Sequence, residues 1–148
     1  MRVLFLDFDG VLNSREWAEK QADLPVGAPW FDPAAVARLN RLLSESGACV
    51  VISSYWRNQH IDDLKQCLAD VGCEPNIIGI TPFLHPMERG REIQSWLDMP
   101  DHQVDSFVIL DDYDDMGELL PRLVKTDWAV GLTDADVDRA IALFGVAS

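Results

Sequence analysis

Short apolar runs alternate along the chain with stretches in which apolar residues recur every three to four positions. Val3 to Phe8 reads as a first strand; its continuous apolar stretch suits a strand covered on both faces. Residues 13–32 are polar, contain Trp and Pro, and predict no regular element. Asp32-Pro33 then opens a helix, with aspartate as cap and proline at the first helical position. Val36, Leu39, Leu42 and Leu43 form its apolar stripe and Gly47 stops it. Ala48 to Ile52 is a second strand ending on Ser53-Ser54. A helix follows from Gln59 to Val71, with Ile61, Leu64 and Leu68 at helical spacing and Gly72 at its end. Ile77 to Ile80 is a short third strand, and Glu88 to Leu97 a helix with Ile93, Trp96 and Leu97 on one face. Phe107 to Leu110 is a fourth strand ending on Asp111-Asp112. A short helix over Met116 to Leu120 leads to a fifth strand at Leu123 to Lys125. Thr133 caps a last helix through Leu143, whose first turn carries Asp136. Strands alternating with helices predict an α/β domain with a parallel sheet and right-handed crossovers.

The strand ends carry the polar chemistry. Three of them close on Asp7/Asp9, Ser53/Ser54 and Asp111/Asp112, and in a parallel sheet these ends share one rim, where ligands of open α/β sheets collect. Asp7 and Asp9 are two apart and are expected to project the same way. Carboxylates so close repel unless a cation or a shared proton intervenes. The alternative for each acid, a solvated turn residue, does not explain three polar strand ends together.

Composition narrows this reading. A chain of 148 residues is one domain able to bury a core. Its net charge of −13 disfavours gripping long nucleic acid by neutralising phosphates, but not a site that takes one phosphate beside a cation. Asp111, Asp112, Asp114 and Asp115 hold part of that charge. No apolar run approaches membrane length and no signal-peptide layout is present, so a soluble, cytoplasmic protein is expected. Cys49, Cys67 and Cys73 lack metal-site spacing and are expected to be free thiols. His60, His85 and His102 show no ligand spacing either.

Asp7-x-Asp9-Gly10-Val11 after an apolar strand resembles motif I of the haloacid dehalogenase (HAD) superfamily of phosphotransferases. Val50-Val51-Ile52-Ser53 resembles motif II, Arg89 the basic motif III, and Val108-Ile109-Leu110-Asp111-Asp112 the paired-acid form of motif IV. Ser53-Ser54-Tyr55-Trp56-Arg57, Arg89-Gly90-Arg91-Glu92-Ile93 and Gly131-Leu132-Thr133 further resemble the small phosphatase-type domain of multifunctional RNA-repair proteins, a family associated with removing phosphate from polynucleotide ends. The resemblance implies a three-layer Rossmann-like fold with a mainly parallel five-stranded sheet and no large cap, residues 13–32 forming at most a small flap over a single domain. It implies Mg²⁺ held by Asp7, the backbone carbonyl of Asp9 and Asp112, with Asp111 reaching the metal through water or orienting its ligands. Asp7 would be the nucleophile, Asp9 the general acid and base, and Ser53 or Ser54 with Arg89 the phosphate ligands. An acid at position 9 fits phosphate-ester hydrolysis and disfavours carbon–halogen cleavage. Arg57 and Arg91 compete with Arg89, and Asp115 competes with a role as a solvated loop acid. Lys125 is assigned to the surface. Trp17, Trp30 and Trp56 are read first as packing residues, with stacking on a base or sugar as the alternative. The expected function is a Mg²⁺-dependent phosphomonoester hydrolase for nucleic-acid ends or nucleotides. The alternatives are a phosphatase of small metabolites such as sugar phosphates, or a non-catalytic phospho-acceptor module.

Overall fold

Residues 1–146 are described by a computed structural model. The apolar run at the start of the chain forms β1 (Arg2–Leu6), the central strand of a five-stranded sheet. The remaining strands are β2 (Cys49–Ile52), β3 (Ile77–Ile80), β4 (Ser106–Asp111) and β5 (Leu123–Lys125). Their order is β3-β2-β1-β4-β5, and every neighbouring pair is parallel. The winding direction therefore reverses between β1 and β4, and a parallel sheet opens its crevice at such a reversal, outside the carboxyl ends of the strands.

Successive residues of β1 serve opposite faces, which is why the run is apolar throughout. Leu4 and Leu6 join a core with Val50, Ile52, Val108 and Leu110. That core is covered by α2 (Pro33–Ser46), α3 (Ile61–Ala69) and α5 (Asp134–Phe144) through Val36, Leu39, Leu64, Leu68, Val137 and Phe144. Val3 and Phe5 face the other way and pack with Val51, Phe107 and Ile109 under Ile93 and Trp96 of α4 (Arg89–Leu97). Helices on both faces of a parallel sheet give a three-layer α/β fold. Among the described residues no cap domain interrupts it.

Most boundaries follow the local signals. Asp32 accepts a hydrogen bond from the Ala34 N–H at 2.9 Å, Pro33 opens α2, and Gly47 ends it in the left-handed region at φ 67°. Thr133 and Asp136 form a reciprocal capping box at α5. β1 stops at Leu6 rather than Phe8, although the Asp7 N–H still donates to the Leu110 carbonyl at 3.1 Å. α3 begins two residues late because Tyr55–Asn58 form a 3-10 turn first. The helix expected over 116–120 is a 3-10 turn, Gly117–Arg122, in which Pro121 has no N–H to give a longer helix. Residues 13–32 hold a helix, α1 (Arg15–Gln21), and a loop stitched to it by Trp17 Nε1 to the Trp30 carbonyl (3.0 Å) and Gln21 Nε2 to the Pro29 carbonyl (2.7 Å). All three cysteines are free, and burial pushes the Cys73 thiol up to about 11. No helix among the described residues is long and apolar enough to cross a membrane.

Candidate active site

The site grows out of strand register. Phe5 pairs with Val51 on one side and Ile109 on the other, and this apolar row lies beneath α4. Side chains alternate along a strand, so the residues two further on face the same helix. They are Ser53, Asp7 and Asp111, with Thr81 extending the row beyond β3. The ladder holds them in line: Ser53 N–H donates to the Leu6 carbonyl, Asp7 N–H to Leu110 and Thr81 N–H to Ile52, at 3.0, 3.1 and 3.0 Å. The apolar floor under α4 thus turns polar at the rim of the sheet. All four residues are buried.

α4 meets both rows. Ile93 and Trp96 cover the apolar one, and Arg89, one turn earlier, reaches over the polar one. Its Nη1 lies 2.7 Å from Asp111 Oδ2 and 3.4 Å from Asp7 Oδ1. A cation at a helix N-terminus opposes the helix dipole, and the two acids offset that. Glu88 makes no side-chain cap at α4. Asp115 does so from the acidic loop: its Oδ2 accepts the Arg89 N–H at 3.1 Å and its carbonyl accepts the Gly90 N–H at 3.0 Å. Gly90 is tied to this junction, since a Cβ there would lie 2.4 Å from the Met116 carbonyl oxygen. Asp115 is therefore a structural cap of the helix that carries Arg89.

Asp7, Asp111 and Asp112 offer carboxylate oxygens that all lie within 4.8 Å of one another. Both oxygens of Asp111 are engaged, Oδ2 by Arg89 and Oδ1 by the Tyr113 N–H at 3.0 Å. Burial raises the Asp7 carboxyl above its ordinary range, Arg89 opposing and Asp112 adding to the rise. Asp111 is raised too, by burial and then by repulsion from Asp7, again against Arg89. Gly10 makes room for Asp112: its φ is +81°, and a Cβ would lie 2.4 Å from the Asp112 carboxylate. Three clustered acids of which only Asp7 and Asp111 meet the single arginine, a cradle cut to glycine and donors that are all hard oxygens fit Mg²⁺. Asp7 and Asp112 would hold the ion, with Asp111 orienting the set.

The Asp9 carboxylate stands apart. It is exposed, with Trp56 Nε1 donating to Oδ2 at 2.9 Å and Asn13 Nδ2 to Oδ1 at 3.2 Å. Asp9 begins a tight loop in which the N–H groups of Val11, Leu12 and Asn13 all converge on the Phe8 carbonyl. That loop is braced from the far end of the chain. Thr126 Oγ1 donates to the Gly10 carbonyl at 2.7 Å and the Leu132 N–H to the Val11 carbonyl at 2.9 Å. A Cβ on Gly131 would press on that same Val11 carbonyl at 3.1 Å. The Gly131-Leu132-Thr133 segment thus supports the first acid loop.

Other sequence candidates sort by contact. Ser54 lines the cleft, but its Oγ accepts the Trp56 N–H at 3.2 Å. Ser53 Oγ and Thr81 Oγ1 are buried hydroxyls without a protein partner, and the unpartnered Ser53 hydroxyl lies in register beside Asp7. Arg57 is neither a surface arginine nor a phosphate clamp. It is buried, its Nη2 2.7 Å from Glu92 Oε1 and its other nitrogens on the carbonyls of Ser53, Ser54 and Thr81. Arg91 points to the Pro86 carbonyl at the surface. Lys125 ends β5 with an exposed side chain 3.4 Å from Asp114.

Trp17, Trp30 and Trp56 do not line the acidic cleft; Trp56 packs on Phe8, Phe31 and Trp30. The aromatic residues at the cleft are Tyr55, Tyr113 and Trp128, which are 52%, 65% and 55% exposed. Arg15 lies over the Trp128 ring at 5.0 Å. Tyr113 and Trp128 are lone aromatics in loops, which gave no sequence signal, and Tyr55 stood in a quoted motif without a role of its own. The cleft measures about 620 Å³ and collects Asp7, Asp9, Arg89 and Asp112 on its floor.

A parallel sheet in this order, with paired acids at its reversal and a basic residue facing them, defines a haloacid dehalogenase-like domain, whose general role is phosphatase-type hydrolysis. The family model described as the HAD domain in Swiss Army Knife RNA repair proteins matches residues 3–137, and the chain belongs to that family. Comparison with curated proteins gives no match.

Proposed function

We propose that this domain is a Mg²⁺-dependent phosphomonoester hydrolase that works through an aspartyl-phosphate on Asp7 and acts on phosphorylated nucleic-acid ends. The observation that carries the chemistry is the in-register row Ser53–Asp7–Asp111 facing Arg89, with Asp112 alongside. Mg²⁺, when bound, offsets the repulsion between substrate phosphate and this acidic site. Asp7 Oδ attacks phosphorus, and the bond to the leaving oxygen breaks. Asp9 supplies the proton that the leaving oxygen needs. A water molecule then attacks the same phosphorus and gives a proton to Asp9, and inorganic phosphate leaves with Asp7 regenerated. Arg89 places positive charge beside the transferring group, where it counts most in the transition state. The Ser53 hydroxyl donates to a phosphoryl oxygen, which would satisfy its otherwise unpartnered group.

Four features support the substrate. Among the described residues no cap domain covers the cleft, which leaves room for a polymer end. Tyr55, Tyr113 and Trp128 offer flat faces around it, and aromatic faces take unpaired bases without regard to sequence. The family name associates relatives with RNA repair. A net charge of −13 fits contact with one end rather than with a long backbone.

The test is a phosphate-release screen over oligonucleotides with 3′- or 5′-phosphate, mononucleotides, sugar phosphates and phosphopeptides, each with Mg²⁺ and with excess chelator. Oligonucleotide ends should show the highest kcat/KM, and chelator should abolish turnover. Full activity in chelator overturns the metal assignment, and a sugar phosphate as the best substrate overturns the nucleic-acid assignment.

A further inference from the structure

We propose that Trp56, aided by Asn13, is the positioning residue for the Asp9 carboxylate. The inference rests on the acid–base role of Asp9 proposed above.

Asp7 is fixed by a sheet ladder, but Asp9 lies past the strand end with its side chain exposed. Proton transfer needs the carboxylate within hydrogen-bond reach of the leaving oxygen and correctly turned. Two donors set that turn here, one on each oxygen: Trp56 Nε1 at 2.9 Å and Asn13 Nδ2 at 3.2 Å. Each carboxylate oxygen keeps a second lone pair for substrate or water.

The indole is itself held. Its ring meets Phe8 edge-on at 5.7 Å and lies against Phe31 at 5.4 Å, while its backbone N–H is capped by Ser54 Oγ. Phe8 and Phe31 are fully buried residues of the larger core, so the ring is referenced to the core rather than to the loop it serves. A phenylalanine would also offer an aromatic ring to Phe8 and Phe31. What tryptophan adds is an N–H at the end of a large rigid ring, and in this protein that N–H meets a proposed catalytic acid. Asn13, whose own N–H closes the loop on the Phe8 carbonyl, completes the fork. The 3-10 turn after β2 thereby supplies successive residues to one purpose: Tyr55 to the cleft wall, Trp56 to Asp9 and Arg57 to the ends of β2 and β3.

Trp56→Phe keeps an aromatic ring against Phe8 and Phe31 but removes the donor together with the five-membered ring that carries it. It should lower kcat for an alkyl phosphomonoester about tenfold, as loss of alignment at a reacting group does, with KM within about twofold. Formation of the phospho-enzyme from p-nitrophenyl phosphate, whose leaving group needs no proton, should fall less. In Asp9→Asn the same change should add little, because there is no acid left to align. The contact is also read without turnover. The five tryptophans give indole N–H signals in ¹H–¹⁵N spectra; the one lost in W56F is assigned to Trp56, and it should be the indole that moves most in D9N. Asn13→Ala, a milder change, should lower kcat in the same sense. An indole signal unmoved by D9N overturns the proposal, as does a W56F loss that is the same size in the D9N background. If D9N keeps wild-type turnover while the indole signal moves, the contact stands, the acid–base reading of Asp9 fails, and the positioning role falls with it.

Discussion

Arg89 and Arg57 lie on neighbouring elements and both are buried, yet their neighbours separate their duties. Arg89 faces the acids Asp7 and Asp111, whereas every nitrogen of Arg57 is committed to carbonyls or to Glu92. Arg89→Ala should reduce kcat by about 10²–10³ and leave a folded protein. Arg57→Ala should instead appear in stability, costing about 3–5 kcal/mol because Glu92 is left charged and buried; a denaturant titration of both variants separates the two outcomes. Asp7→Asn should abolish turnover without loss of fold, read by phosphate release beside circular dichroism. Gly10→Ala must move either its own φ of +81° or the Asp112 carboxylate 2.4 Å from the new Cβ. It should weaken the apparent Mg²⁺ affinity far more than it changes KM at saturating metal, measured by titrating activity against Mg²⁺.

At the scale of elements, α4 is aimed by a cap from outside itself. Asp115→Ala removes an acceptor from the Arg89 N–H, which should cost about 1 kcal/mol, or about 2–4 °C in Tm for a domain of this size. Because the capped residue is Arg89, kcat should fall together with Tm, whereas removing an ordinary cap changes Tm alone. The elements themselves were legible in the sequence: Asp32-Pro33, Gly47, Thr133 and the apolar run at Val3 each act locally, and local chemistry decides them. The acids at positions 7, 111 and 112 were legible because strand ends in a parallel sheet share a rim, whereas Asp9 lies in the loop beyond the strand end with its carboxylate held apart from theirs. What the sequence hid was lateral. That Ser53 lies beside Asp7 while Ser54 caps a turn depends on register between strands. That Arg57 is interior depends on Glu92, far along the chain. Trp56 reads from sequence as a packing residue with stacking as the alternative, because nothing near it in sequence reveals that its N–H meets Asp9.

For the whole molecule, the site stores charge that the fold alone does not relieve. Asp7 is pushed up to about 6 and Asp111 to about 8 from an ordinary 3.8. Acids raised by folding hold their protons more tightly in the native state than in the unfolded one. Their contribution to stability is therefore complete below the unfolded value and is lost as pH rises through about 6 and then about 8. Metal-free protein should lose stability across that window. Mg²⁺ competes with those protons, and a ligand that binds only the native state raises Tm. The Tm gain from a fixed Mg²⁺ concentration should thus be larger at about pH 8 than at about pH 5, as scanning calorimetry can test. An equal gain at both would mean the cation binds outside the cluster.

β1 is central in space but precedes its neighbour β4 by most of the chain: Val3 pairs with Phe107, Leu6 with Leu110. As the polypeptide is made, an apolar segment with strong strand character must therefore wait, both edges open, for partners not yet synthesised. Such segments template aggregation unless charge flanks them. Asp7 and Asp9 sit directly after the run. Their charge stands where gatekeeper residues of the nascent chain are expected. A variant that neutralises both should refold from denaturant with lower yield as protein concentration rises, even where its native stability is unharmed.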